Sequence, residues 1–197
     1  MSDRLEYTPA EVVSRLASSD SLDRYFELLM AENAKVNLVS RETERTDLVR
    51  LAAESILPLT VLPDTFSAYL DIGSGGGFPS VPLLLSGRIA GPAVLFERTG
   101  KKASALTSLI TGLNLPARVE SVNFEDRTLT ERLDLITLRY VKLTPHLLDR
   151  ITRYLAADGR FVYYSTPAFH VKRQKHRVWT TRSLQDQVDK SFTVFTL

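Results

Sequence analysis

Asp71-Ile72-Gly73-Ser74-Gly75-Gly76-Gly77-Phe78-Pro79 holds four of the chain's nine glycines within five residues. The apolar run Ala68–Ile72 leads into it, and a helical pattern over about residues 78–86 leads out. Strand, glycine turn and helix in that order open a βαβ unit. Glycine permits positive φ and, having no Cβ, lets a ligand touch the backbone. At the carboxyl end of a strand in an open α/β sheet, such a turn faces the ligand crevice.

The spacing narrows the ligand. A phosphate loop continues with Gly-Lys-Ser/Thr, whereas Phe78-Pro79-Ser80 follows here, with no lysine to reach a phosphate. A dinucleotide fingerprint needs its third glycine where Phe78 stands. The spacing present is G-x-G-x-G, headed by Asp71, and it suits S-adenosylmethionine, which has no pyrophosphate to seat. Glu97 lies 20 residues past Gly77, at the end of the next apolar run. A carboxylate there can accept hydrogen bonds from both ribose hydroxyls. Taken singly, each feature also reads as a tight connection beside a surface acid.

Outward from the turn, Ala93–Phe96, Arg118–Val122, Leu133–Leu138, Arg160–Tyr164 and Ser191–Thr196 read as strands, with helical segments at about 100–112 and 144–156. The alternation predicts an α/β fold with a mostly parallel sheet covered on both faces. The first 60 residues read as helices. Thr8-Pro9-Ala10-Glu11 is a capping pattern, Asp20 or Ser21 can cap a second helix, and Asp47 opens a third. No strand signal precedes residue 66. Residues 1–65 are therefore expected as a helical extension packed on an α/β domain of residues 66–197.

Composition removes whole classes of function. The chain has 197 residues, 44% hydrophobic and 24% charged, which suits one globular domain with an extension. No apolar run approaches the roughly 20 residues of a membrane span, and no secretory signal is visible, so the expected address is the cytoplasm. Cysteine is absent, which excludes disulfides, a thiol nucleophile and Cys-ligated metal. With three histidines (His146, His170, His176), no multi-His metal site is expected. Charge is uneven: residues 1–65 carry a net −5 and residues 66–197 a net +7. A polyanion would meet the second part.

Asp71–Pro79 resembles the first motif of the bacterial small-subunit ribosomal RNA guanine-N7 methyltransferase family, also called glucose-inhibited division protein B. The Phe-Pro after the glycines is unusual among methyltransferases. Over about residues 20–165, three more segments are similar in order and spacing. They are Glu32-Asn33-Ala34-Lys35-Val36-Asn37-Leu38, with Glu32 where Trp is usual, Glu97-Arg98-Thr99-Gly100-Lys101-Lys102, and Asp134-Leu135-Ile136-Thr137-Leu138-Arg139. Departures fall elsewhere. Arg50-Leu51-Ala52-Ala53-Glu54-Ser55 replaces Arg-His-Phe-x-Asp-Ser, Ser80 replaces a glycine, and Ser165-Thr166 replaces Lys-Gly. Cofactor positions are kept better than positions toward the RNA.

The resemblance implies a Rossmann-like class I S-adenosylmethionine-dependent methyltransferase. It implies methyl transfer to N7 of a guanine in ribosomal RNA or the small ribosomal subunit; the chain is expected to act as a monomer without metal. N7 carries a lone pair and no proton, so no general base is needed, only alignment and exclusion of water. On this reading Asp71, Gly73, Ser74, Gly75, Gly77, Phe78, Glu97, Phe124, Glu125 and Arg139 are candidate cofactor contacts. Arg139, closing the fourth strand, is also the candidate catalytic contact to the target nucleotide; the alternative is a structural pair with Glu97 or Asp71. Asn33, Asn37, Lys101 and Lys102 are candidate RNA contacts, although both asparagines suit helix capping and the lysines suit a solvated helix start. Phe124 can pack on adenine or belong to the core. The basic run 170–182, with Trp179 inside it, can bind nucleic acid or be a solvated face. Tyr163 and Tyr164 alternate on a strand, so at most one faces the crevice. Two other readings stay open: a methyltransferase of a small molecule or protein, and a nucleic-acid-binding protein without turnover.

Overall fold

A computed structural model describes residues 3–63, 65–165 and 175–197. The chain runs β1 (Asp3–Tyr7), α1 (Pro9–Leu16), α2 (Ser19–Asn33), α3 (Arg45–Ile56), β2 (Tyr69–Ile72), α4 (Ser80–Leu85), β3 (Ala93–Phe96), α5 (Gly100–Gly112), β4 (Ala117–Glu120), β5 (Leu133–Arg139), α6 (Pro145–Tyr154), β6 (Leu155–Ser165), β7 (His176–Ser183) and β8 (Asp189–Phe195). All eight strands form one sheet in the order β1-β7-β8-β6-β5-β2-β3-β4. Strands β6, β5, β2, β3 and β4 are parallel to one another, and β8 lies antiparallel between β6 and β7. After β2 the chain first builds toward β4, then returns to place β5 on the other side of β2. That reversal is a topological switch point, where crevices open at the carboxyl ends of strands.

The central strands are buried on both faces, and their period of two sorts side chains between two cores. Tyr69, Ala93, Leu95 and Leu135 join one cluster with Tyr25, Leu48, Ile56 and Leu106 from α2, α3 and α5. Leu70, Ile72, Val94, Phe96, Ile136 and Leu138 join the other with Leu147 and Ile151 from α6. Helices therefore cover both faces, as the alternation of elements predicts.

Local expectations mostly hold for helices, with shifted chemistry. Thr8 precedes α1 with Pro9 at its first position, but its hydroxyl makes no capping bond. Ser18, not Asp20 or Ser21, is the residue before α2. Asp47 sits one turn inside α3 and accepts the Glu44 N–H at 3.1 Å.

Two strands correct the sequence reading. β1 lies within the stretch expected to hold no strand, pairing parallel with β7 from Asp3 opposite Trp179 to Tyr7 opposite Ser183. Residues 176–182 of the basic run are β7, and residues 170–174 lie outside the described residues. Trp179 is only 6% exposed and stacks on Phe192 with ring centroids 5.3 Å apart. It anchors the sheet and offers no face to a base.

Candidate methyl-donor site at the glycine turn

Ile72 ends β2 and delivers the chain to the turn. Gly73, Gly75 and Gly77 take φ of +77°, +50° and +94°, the left-handed region that other residues enter only with strain. Gly73 is also forced by proximity: a Cβ there would meet Val141 Cγ2 at 2.5 Å, where the turn crosses the segment after β5. The Gly73 and Ser74 N–H groups donate to Phe96 O at 2.8 and 3.0 Å, tying the turn to the end of β3. From α2, the buried Tyr25 hydroxyl donates to Gly76 O at 2.7 Å. Losing that donor would leave a buried carbonyl unsatisfied, at a cost of about 1–3 kcal/mol.

Glu97 closes the arrangement. Its Oε2 accepts the Gly75 N–H at 3.0 Å and its Oε1 accepts the Thr99 N–H at 2.8 Å. Each carboxylate oxygen keeps a second lone pair. Above the turn lies a cavity of about 720 Å³. Gly73, Ser74, Gly75, Gly76 and Phe78 form its floor, Phe96 to Thr99 and Lys102 one wall, Val122 to Glu125 a second, Arg139 to Lys142 a third, and Leu38 to Ser40 a fourth. A Cβ built on Gly75 meets nothing nearer than Gly73 O at 3.9 Å, so a ligand can lie directly on that backbone. A carboxylate, a bare backbone and a volume within the usual range for small-molecule sites fit an adenosyl group.

The structure divides the expected site residues. Gly73, Ser74, Gly75, Phe78, Glu97, Phe124, Glu125, Arg139 and Lys102 all line the one cavity. Asp71 does not. It is fully buried beneath the turn, where Thr137 Oγ1 donates to its Oδ1 at 2.6 Å. Burial pushes its pKa from 3.8 up to about 6, partly offset by the Thr137 hydrogen bond. Its position on the strand explains this: residue 71 shares the face of Tyr69, which joins the core under α2, α3 and α5. Gly77 is likewise packed inward, against Val81 and the Tyr25 hydroxyl. Phe124 is 1% exposed and packs edge-on to Phe96 at 5.5 Å, which makes it core as well as cavity wall.

Arg139 corrects the expectation of a free fork toward a nucleotide, and it pairs with neither Glu97 nor Asp71. Its Nη2 donates to Glu54 Oε2 at 2.5 Å, and its Nη1 donates to Ser55 Oγ at 2.9 Å and Leu51 O at 3.2 Å. The residue is 4% exposed. Residue 139 follows Leu135 and Thr137 on the strand face that α3 covers, so its guanidinium meets α3.

Asn33 is also corrected. It is 5% exposed, and its Oδ1 accepts the N–H groups of Leu38 and Val39 at 2.8 and 3.0 Å. It shapes the loop that forms the fourth wall, with its side-chain oxygen committed to that loop's backbone. Asn37 is exposed and accepts from Arg41 Nε at 3.3 Å, and Lys101 is exposed at the start of α5. The sequence reading missed Leu38 to Ser40 and Tyr140 to Lys142 as walls. The signal was available for both, since one follows the Asn-x-x-x-Asn segment and the other leaves a strand at the switch point. Among the described residues, no cluster of three or more His, Asp or Glu is placed to hold a metal, and no helix is long and apolar enough to cross a membrane.

Comparison with known proteins adds to this geometry. The family described as rRNA small subunit methyltransferase G matches residues 18–194. A ribosomal RNA small subunit methyltransferase G from Rhodopseudomonas palustris (strain BisB5) is 35% identical over 159 residues, covering 79% of this chain and 66% of that protein. One from Bartonella quintana (strain Toulouse) is 34% identical over 137 residues, covering 67% of this chain and 62% of that protein. The chain thus spans a little under two thirds of the length of these relatives. Among solved structures, an O-methyltransferase from Bacillus cereus in complex with SAH superposes with a TM-score of 0.65 at 15% identity, covering 97% of this chain and 98% of that one. An rRNA methylase from Streptococcus thermophilus gives 0.54 at 13% identity, covering 80% and 99%. The fold is the Rossmann-like fold of class I methyltransferases.

Proposed function

The chain belongs to the rRNA small subunit methyltransferase G family, and from that premise we propose that it transfers a methyl group from S-adenosylmethionine to N7 of a guanine in small-subunit ribosomal RNA. The observation that carries the reading is the cavity on the glycine turn, with a carboxylate clamped at its edge. S-adenosylmethionine would supply an electrophilic methyl group on a sulfonium. Gly73, Ser74 and Gly75 offer backbone for its amino acid tail, and Glu97 keeps lone pairs for the ribose hydroxyls. Asn123 to Glu125 form the wall on which the adenine would lie. Phe96 and Phe124 keep that wall dry, which strengthens every polar contact inside it. Guanine N7 has no proton to lose, so the chemistry needs positioning alone.

An RNA acceptor is favoured over a small apolar one by the rim. Arg98, Lys102 and Lys142 line the cavity, and Lys101 stands exposed beside them. Basic groups around a cofactor mouth steer a polyanion. Incubation with tritiated S-adenosylmethionine and small ribosomal subunits, followed by nucleoside digestion, tests the reading. Label should appear as 7-methylguanosine. Label in protein, in a small molecule or nowhere would contradict it.

A further inference from the structure

A second cavity, of about 340 Å³, adjoins the first along a segment that lines both. Arg139, Tyr140, Val141 and Lys142 line both. Its other side is formed by Tyr163, Tyr164, Ser165 and residues of β7 and β8, among them Lys190. Nothing in the methyl-donor site uses this space.

Tyr140 stands at the junction, and three observations single it out. It is 78% exposed, far more than any other large hydrophobic side chain that faces solvent among the described residues. Its φ is +58°, a left-handed conformation that a bulky residue holds only when its surroundings impose it. Its ring is braced from below: the Arg139 guanidinium lies 4.9 Å from the ring centroid, and Arg139 Nη2 donates to the Tyr140 hydroxyl at 3.2 Å. Glu54 neutralises that guanidinium, so the ring is held without presenting an unpaired positive charge. A rigid, exposed aromatic plane beside a cofactor cavity is a stacking platform for a flat heterocycle.

We propose that Tyr140 is the platform on which the acceptor purine stacks, its N7 toward the methyl-donor cavity, with the second cavity receiving the ribose and phosphate of the flipped-out nucleotide. The proposal rests on the methyltransferase reading above and adds its acceptor site. A base taken out of its stack needs a substitute face, and each such contact contributes about 1–3 kcal/mol. Attack by N7 on the methyl group forms the N7–carbon bond and breaks the carbon–sulfur bond. The purine gains a positive charge as the sulfonium loses its own. An aromatic face favours that cation over the neutral base, so Tyr140 acts on the reacting state as well as on binding. Lys142 and Lys190, on the same cavity, are placed for the phosphates of the extruded nucleotide.

The test compares Tyr140→Asn and Tyr140→Phe with the unaltered chain. Asparagine tolerates the left-handed backbone, so its loss of activity reports the ring and not strain. S-adenosylmethionine affinity by calorimetry should stay within about twofold for both variants. Methyl transfer to small subunits, as kcat/KM, should fall about 5- to 150-fold for Asn, the range expected from one stacking contact, and stay within about threefold for Phe. Asn activity equal to the unaltered chain overturns the platform. Equal losses in Asn and Phe also overturn it, since the hydroxyl bond to Arg139 would then be what matters. If the unaltered chain transfers no methyl group to RNA, the functional reading itself falls, and the platform with it.

Discussion

Asp71 and Glu97 are both carboxylates beside the glycine turn, and their burial gives them different work. Glu97 faces the cavity with both oxygens on backbone N–H groups, whereas Asp71 lies fully buried below with Oδ2 unpartnered. Burial raises the Asp71 pKa to about 6 in the folded state from 3.8. Between those values the folded chain binds more protons than the unfolded chain, so this group's contribution to stability falls as pH rises from 3.8 to 6 and stays lost above that. The shift corresponds to roughly 3 kcal/mol. Asp71→Asn, which cannot ionise, should therefore gain stability relative to the unaltered chain as pH rises from about 4 to 7. Denaturant unfolding of both chains across that interval checks it, and a constant difference would contradict it. The glycines and Glu97 were legible because their spacing is itself the signal. Asp71 was misread because an acid before a glycine turn can face up or down. Only the alternation through Tyr69, which joins the core under α2, α3 and α5, decides which.

At the scale of elements, α3 and β5 are joined by a buried ion pair. Arg139 and Glu54 are 4% and 9% exposed, and Tyr164 from β6 donates to Ser55 O at 2.5 Å in the same layer. Removing one partner strands a buried charge, at a cost of about 3–5 kcal/mol. Glu54→Ala should lower the midpoint of thermal unfolding by roughly 6–20 °C at this chain length. An unchanged midpoint would contradict the account of Arg139 as a brace. Local pattern predicts β2, β3, β5, β6 and β8 as apolar runs between turn signals, and β4 more weakly, since Arg118 and Glu120 interrupt it. It misses β1, of whose five residues only Tyr7 is buried and which pairs Arg4 with Glu6 on the outside. It misses β7 because His176, Arg177 and Arg182 flank Val178 to Thr181 there, and such a run reads as a charged surface. Neither strand is stable by itself; each exists through its neighbours in the sheet.

Over the whole molecule, charge and core divide differently. The basic excess lies in residues 66–197, yet the larger core takes side chains from both parts, among them Tyr25, Ala52, Leu95 and Leu106. The N-terminal helices also supply Tyr25 to the turn, Asn33 to the loop over it and Glu54 to Arg139. The site therefore depends on the entire chain, although its motif occupies nine residues. The most direct measurement is a crystal structure of the protein soaked with S-adenosylmethionine. The adenosyl group should lie along Gly73 to Gly75 with its ribose hydroxyls on Glu97 and its methyl group turned toward Tyr140. Density for the compound elsewhere, or a turn that Glu97 keeps closed against it, would contradict the account.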